Sequence, residues 1–218
     1  MFTAFFRAIF IRLVEPSARR LARLGVTPNM ITIFGTLGTI ASTVIFFAWQ
    51  GMWMTGALII WALAMFDALD GLVARVGGKG SRFGGVLDST CDRFADAAVF
   101  ASIGWWMAEH GQRWLLLGSI LCLVLGSITS YIRSRAEAAG FEAKVGVAER
   151  TDRLIIILTG AGLSGHPFDL PFVLAIAIWL LVGLSTITIA QRFGTVYKQA
   201  KAADAGLAAA ANGAGATA

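Results

Sequence analysis

Three stretches of this chain, residues 30–49, 114–132 and 170–190, contain no charged side chain. A helix crosses the hydrocarbon of a bilayer in roughly 20 residues, and inside that layer its backbone polar groups must all be satisfied within the protein. Each stretch is long and apolar enough to do this. The composition agrees, because 57% of the 218 residues are hydrophobic and only 14% are charged. A water-soluble fold of that length would have no interior large enough for them.

Between these stretches lie two more apolar runs that carry acids. Residues 52–66 lead into Asp67 and Asp70, and residues 86–107 are apolar apart from Asp88, Asp92, Arg93 and Asp96. A shorter run, 154–165, must borrow length from residues 149–153 to span. The expected fold is therefore an all-α integral membrane protein with six transmembrane helices. Ahead of them, Phe2, Phe5, Phe6, Ile9, Phe10 and Leu13 recur at helical spacing opposite Arg7 and Arg12, the pattern of an amphipathic helix lying on a membrane surface over residues 1–25. Residues 26–195 form the membrane domain, and the Ala- and Gly-rich tail 196–218 is expected to be disordered or weakly helical.

With the amino terminus in the cytoplasm, six spans place all of the 18 Lys and Arg except Arg113 on the cytoplasmic side or at that end of a helix. A bias of that size orients a membrane protein. Both termini and any site near the basic loops are then cytoplasmic, in a multi-pass protein of the plasma membrane. No nucleic-acid partner is expected. Cys91 and Cys122 sit in apolar runs without the spacing of a zinc site or a disulfide framework, and are read as packing residues. His110 and His166 stand alone and carry no assignment.

Asp67, Asp70, Asp88, Asp92 and Asp96 are five of the chain's 13 acids, all in segments otherwise fit to enter a bilayer. There each ionised side chain costs about 2.5–3.5 kcal/mol. On a helix Asp67, Asp70, Gly71 and Ala74 share one face, and Asp88, Asp92 and Asp96 stack at intervals of four on another. Clustered carboxylates repel unless protons or cations neutralise them, and hard divalent ions such as Mg²⁺ are held by a few such oxygens together with substrate phosphates. A two-metal phosphate site follows. Gly71, Ala74, Gly84 and Gly85 would let helices and a diphosphate approach closely, and Arg75 would meet phosphate oxygens in a bidentate manner. Intramembrane acids equally mark an ion or solute transporter, and Asp96 suits a structural ion pair with Arg93 or another basic residue as well as it suits a ligand role.

The segment 67–92 reads DALDGLVARVGGKGSRFGGVLDSTCD, which is DxxDGxxARx8GxxxDxxxD with every fixed position filled. This resembles the signature of the CDP-alcohol phosphotransferases, and the likeness extends over most of the chain, in particular to the actinobacterial branch that uses inositol phosphate. The resemblance implies that Asp67, Asp70, Asp88 and Asp92 hold a pair of Mg²⁺ or Mn²⁺ ions and that Asp92 also acts as the base. It places CDP-diacylglycerol against Asn29, Met30, Ile31, Thr32, Gly71, Ala74, Arg75 and Ser81. It also implies a homodimer among membrane lipids.

The signature is shared by enzymes with different acceptors, so the second substrate must be read elsewhere. SYIRSRAEA and ERTDRLII, with Arg192 beyond them, bring Ser130, Arg133, Arg135, Arg153 and Arg192 toward the cytoplasmic helix ends. Singly, each arginine suits a positive-inside flank or a lipid headgroup. Together they suit an anionic acceptor. By resemblance Arg133, Arg135, Arg153 and Arg192 grip the acceptor's phosphate, with Lys144 and Arg150 as weaker candidates. The expected reaction gives phosphatidylinositol phosphate and CMP from CDP-diacylglycerol and inositol phosphate. Glycerol 3-phosphate, yielding phosphatidylglycerol phosphate, is the alternative acceptor, and a lipid-binding protein without catalysis is a further alternative.

Overall fold

The computed structural model describes the backbone of residues 25–77 and 81–215 and the side chains of residues 25–65 and 81–205. Within them the chain is helical throughout, with no strand. Helix α1 spans Pro28–Ser42 and runs on through a π-helical stretch, Thr43–Trp49. It is followed by α2 (Trp53–Gly77), α3 (Arg82–Glu109), α4 (Arg113–Ala138), α5 (Arg150–Ser164) and α6 (Pro171–Gly215). The amphipathic helix expected over residues 1–25 lies outside the described residues.

Local chemistry sets several helix starts. Thr27 caps α1 by accepting a hydrogen bond from the Met30 N–H, and Pro28 takes the first position, where its missing N–H costs nothing. Ser81 does the same for α3, its Oγ accepting from the Gly84 N–H at 2.9 Å. At α5 the Asp152 carboxylate accepts from the Glu149 N–H at 3.0 Å, so an acid sits in the first turn, where the helix dipole favours it.

Three helical segments are long and apolar enough to cross a membrane by themselves: Pro28–Trp49, Arg113–Ala138 and Pro171–Ala205. They contain the three uncharged stretches of the sequence. Helix α5, at 15 residues, is short for a bilayer, as its sequence foretold. Helix α6 departs from expectation at its far end, because it carries on without a break to Gly215 where disorder or weak helix was expected from Lys198. Alanine dominates that stretch, and alanine has the best intrinsic helix propensity.

Helix α1 packs against α2 and α3, α3 against α4, α4 against α6, α6 against α5, and α5 against α2. Polarity switches along these helices. Phe47, Trp53, Ile60, Val99, Phe100, Ile103, Cys122, Ile157, Leu158, Leu174, Ile178 and Leu181 form one buried apolar core, drawn from the π-helical stretch, the first halves of α2, α4 and α6, and the second halves of α3 and α5. Cys91 and Cys122 are buried and unbridged, as packing residues should be. Large apolar side chains such as Phe34, Leu37, Leu58, Trp114, Ile120, Phe172 and Ile176 point outward, a surface suited to lipid rather than water. Apart from Glu109, Arg113 and Asp169 in the turns at the apolar end, the described charged side chains collect toward the other end, where the loop between α4 and α5 lies.

That loop is tied down by one stripe of α6. Thr188 Oγ1 accepts from the Ala148 N–H at 3.2 Å, Arg192 Nε donates to the Val145 carbonyl at 2.8 Å, and the Gln199 amide both accepts from the Glu142 N–H (2.9 Å) and donates to its carbonyl (2.7 Å). Gln199 thus gives the long α6 a job beyond the apolar core. In Gln199→Ala both bonds are lost, and hydrogen exchange at residues 141–145 should speed up while the α5 amides keep their protection. Unchanged exchange in the loop would show that the clamp contributes nothing in solution.

Candidate active site

Helix α3 carries the acids in order along one face. Asp88 and Asp92 are half-buried, and Asp96, a turn deeper, is buried. Helix α5 answers them with arginines at matching spacing. Arg150 Nη1 meets Asp92 Oδ1 at 2.7 Å and Arg150 Nε meets Asp96 Oδ1 at 3.3 Å, while Arg153 Nη2 reaches Asp96 Oδ2 at 2.9 Å. Arg93, from α3 itself, lies 3.6 Å from Asp96 Oδ2 and donates through Nη1 to Ser130 Oγ on α4. Asp96 is therefore an ion-pair partner of three arginines, the structural role that its sequence position allowed.

Asp92, Arg93, Ser130, Arg150 and Arg153 help to wall a cavity of about 670 Å³ formed by α3, α4, the start of α5 and α6, with Asp96 behind the wall. Asp92, Ser130, Arg133, Arg153 and Arg192 all line it, so four of the five residues assigned to the acceptor phosphate come together with the proposed base. Arg135 does not. It is exposed on the far side of α4 and takes no part in the cavity wall. Five arginines face three carboxylates around this space, since Arg93 and Arg150 also line it against Asp92, Glu137 and Glu149. The balance favours an anion.

The arginines are not equivalent. Arg133 is partly exposed and paired with Glu137 at 2.9 Å. Arg192, only 3% exposed, spends Nε on the Val145 carbonyl and Nη1 on the Thr129 carbonyl at 2.6 Å, so it ties the α4–α5 loop to α4 as well as facing the cavity. Arg153 is 4% exposed, and beyond its bond to Asp96 its Nε and Nη1 are buried without a partner among the described residues. Such groups cost free energy unless an anion or water meets them. Arg153 also fits only because residue 126 is glycine: a Cβ there would lie 2.4 Å from its Nη1 and 3.1 Å from its Cζ.

On the other side of α3, its first turn meets α1. A Cβ added at Gly84 would fall 3.1 Å from Asn29 Oδ1 and 3.2 Å from Ser81 Oγ, so these two polar groups converge on a bare stretch of backbone. Thr32 is buried and donates to the Pro28 carbonyl at 3.2 Å, Ile31 is half-buried, and Met30 is exposed. Asp67, Asp70, Gly71, Ala74 and Arg75 belong to α2, but their side chains lie outside the described residues. Among the described residues no three His, Cys, Asp or Glu side chains come together. The donors that are described, Asp88 and Asp92 one helical turn apart, are hard oxygens of the kind that suit Mg²⁺ or Mn²⁺, so the donor set fits such an ion.

Sequence reasoning ranked Arg150 below Arg135 and gave Arg93 a pairing role with Asp96 but no place beside the acceptor. Spacing held the signal: acids at 92 and 96 are four apart on one helix, and the arginines at 150 and 153 are three apart on another, which lets the two faces pair.

Carboxylates suited to a divalent cation along one face of α3, next to guanidinium groups that face a cavity, define a helical membrane protein that handles phosphates. The chain belongs to the CDP-alcohol phosphatidyltransferase family, whose model matches residues 25–188. It is 46% identical over 200 residues to the phosphatidylinositol phosphate synthase of Mycobacterium tuberculosis, covering 91% of this chain and 92% of that one. With the enzyme of the same name from Streptomyces avermitilis it shares 39% identity over 215 residues, 96% of this chain and 88% of the other. The fold superposes on the crystal structure of the M. tuberculosis enzyme with CDP-DAG bound at a TM-score of 0.82 and 46% identity, over 85% of this chain and 94% of that chain. The same enzyme in complex with manganese and citrate gives a TM-score of 0.81 at 46% identity, over 84% and 88% of the two chains.

The tight seat of Arg153 can be tested directly. Gly126→Ala forces a crowded methyl group against a guanidinium that Asp96 holds, and overpacking of this kind costs about 1–3 kcal/mol. The melting temperature of the detergent-solubilised protein should fall. Gly85→Ala, on α3 with no atom of another described element within 4 Å of the added methyl, should leave it unchanged or raised. Equal melting temperatures for both variants would mean that Arg153 is free to move aside.

Proposed function

We propose that this membrane enzyme transfers a phosphatidyl group from CDP-diacylglycerol to inositol phosphate, releasing CMP and forming phosphatidylinositol phosphate. The observation that carries the acceptor reading is the cavity in which Arg153, with two buried N–H groups lacking a partner among the described residues, stands beside Arg133, Arg192 and Ser130 and opposite Asp92. An acceptor phosphate would satisfy those donors, and the acceptor's hydroxyl would then lie toward Asp92. The names of the relatives support the same acceptor and the same lipid donor.

Asp67, Asp70, Asp88 and Asp92 would hold divalent metal, which when bound neutralises the diphosphate and stabilises the departing CMP. Asp92 takes the proton of the acceptor hydroxyl. The freed oxygen attacks the phosphorus next to the diacylglycerol, and the bond from that phosphorus to the CMP oxygen breaks. Arg150 fixes the orientation of the Asp92 carboxylate from the acceptor side. On the nucleotide side we assign Asn29, Met30, Ile31, Thr32, Gly71, Ala74, Arg75 and Ser81 to the cytidine diphosphate. The convergence of Asn29 and Ser81 over Gly84 supports this assignment, because bare backbone there leaves room for a diphosphate. Arg135 is left out of the acceptor site.

The same proposal includes a multi-pass topology with six spans and residues 26–195 as the catalytic unit. The cavity would open to the cytoplasm, an orientation supported by the basic loops around it. A homodimer, expected on the family resemblance alone, belongs with it.

Two experiments bear on this reading. Asp92→Asn should lower the rate of metal-dependent CMP release by about 100-fold or more, the range for loss of a general base; an unimpaired variant would remove Asp92 from the chemistry. When purified protein is given CDP-diacylglycerol with inositol phosphate, free inositol or glycerol 3-phosphate, the lipid product identified by mass spectrometry should be phosphatidylinositol phosphate. Preference for free inositol would contradict a phosphate-binding cavity, and preference for glycerol 3-phosphate would change the acceptor.

A further inference from the structure

Asp96 stands outside the metal-binding pattern of acids, yet it is the most buried carboxylate among the described residues and the most heavily engaged. Its two oxygens meet Arg153 at 2.9 Å, Arg150 at 3.3 Å and Arg93 at 3.6 Å. A carboxylate that is only 9% exposed in a membrane-embedded bundle needs compensation, and a single arginine would supply it. Three arginines converge instead, from α3 and α5, and every one of them lines the cavity while Asp96 itself does not.

The arrangement also sets which edge of each guanidinium is available. Arg153 gives Nη2 to Asp96, which leaves Nε and Nη1 without a partner among the described residues. Arg150 gives Nε to Asp96 and Nη1 to Asp92, so one guanidinium spans from Asp96 to the proposed base. Arg93 lies over Asp96 through Nη2 and donates through Nη1 to Ser130 on α4. Asp96 thus links three helices behind the cavity wall.

We propose that Asp96 is the positioning residue of the acceptor side: from behind the cavity it holds Arg153, Arg150 and Arg93 in the geometry that receives the acceptor's phosphate, and it takes no part in binding metal. The proposal rests on the acceptor reading given above. Without the Asp96 charge, these guanidinium groups repel one another and lose their common anchor, so the acceptor is held less well while the nucleotide side of α3 is untouched.

The test uses the full chain in lipid nanodiscs, with initial rates of CMP release measured for wild type, Asp96→Asn and Asp96→Glu. For Asp96→Asn the KM for inositol phosphate should rise on the order of tenfold, as expected for loss of a charged hydrogen bond. The KM for CDP-diacylglycerol and the Mn²⁺ concentration giving half-maximal rate should stay within about twofold, the ordinary scatter of a site left intact. Asp96→Glu, which keeps the charge, should recover part of the acceptor KM, and it stands in for the Asn variant if that protein does not fold. Equal rises in both KM values would reduce Asp96 to a general structural role. A shifted Mn²⁺ requirement would make it a metal ligand, and either result overturns the proposal. The wild type separates the two layers of argument. If it prefers free inositol to inositol phosphate, the acceptor reading fails. If it prefers inositol phosphate and Asp96→Asn keeps the wild-type KM, only the role of Asp96 fails.

Discussion

Charge cannot be left alone inside an apolar bundle, and the architecture of this protein follows from how that constraint is met. Ionised groups at membrane depth are tolerated when they pair with one another or line a polar cavity. Here both conditions hold in one place. Asp92 and Asp96 on α3 are matched by Arg150 and Arg153 on α5, and the surplus of arginine is turned toward a cavity of about 670 Å³. The opposite end of the same helices needs no such device, and there Val99, Phe100, Ile103, Ile157, Leu158, Ile178 and Leu181 pack as an ordinary apolar core. One bundle thus holds a rigid apolar half and a charged, open half, and the first gives the second its fixed geometry.

Helix α3 divides the chemistry. Its first turn meets α1 where Asn29 comes close to Ser81 and Gly84, and Asp88 and Asp92 follow Gly84 at intervals of four, the stretch proposed above to serve metal and nucleotide. Its next turn presents Asp96 to the arginines. Asp92 stands at the boundary and touches Arg150, which is where a base must be if it is to take a proton from an acceptor that the arginines hold. The α4–α5 loop closes this side, and its backbone is bound by Thr188, Arg192 and Gln199 on α6. The last helix therefore helps to shape the cavity through the loop.

Much of this could be read from residues alone, for identifiable reasons. Uncharged stretches report spans because lipid allows few alternatives, and all three became long apolar helices. The acidic signature reported the family because its spacing is strict. Partner choice among arginines was harder to read: Arg135 and Arg133 are two apart on α4, so they cannot share a helix face, and only the packing of α3 on α4 decides that Arg133 faces the cavity while Arg135 is exposed. Arg150 is the converse case, since its value depends on α5 lying against the acids of α3. The Ala-rich end of α6, where disorder or weak helix was expected for want of an apolar face, is helical to Gly215, because alanine needs no buried face to favour the helical state.

The central claim is that the acids of α3 divide between two tasks, with Asp88 and Asp92 serving divalent cations and Asp96 serving arginines. An anomalous difference map from crystals of this protein grown with Mn²⁺ tests it most directly. The account predicts Mn²⁺ peaks within about 2.0–2.6 Å of carboxylate oxygens of Asp88 and Asp92, the span of bond lengths for such hard cations, while Asp96 stays on Arg153. A peak bound to Asp96, or Mn²⁺ sites that avoid Asp88 and Asp92 altogether, would contradict it.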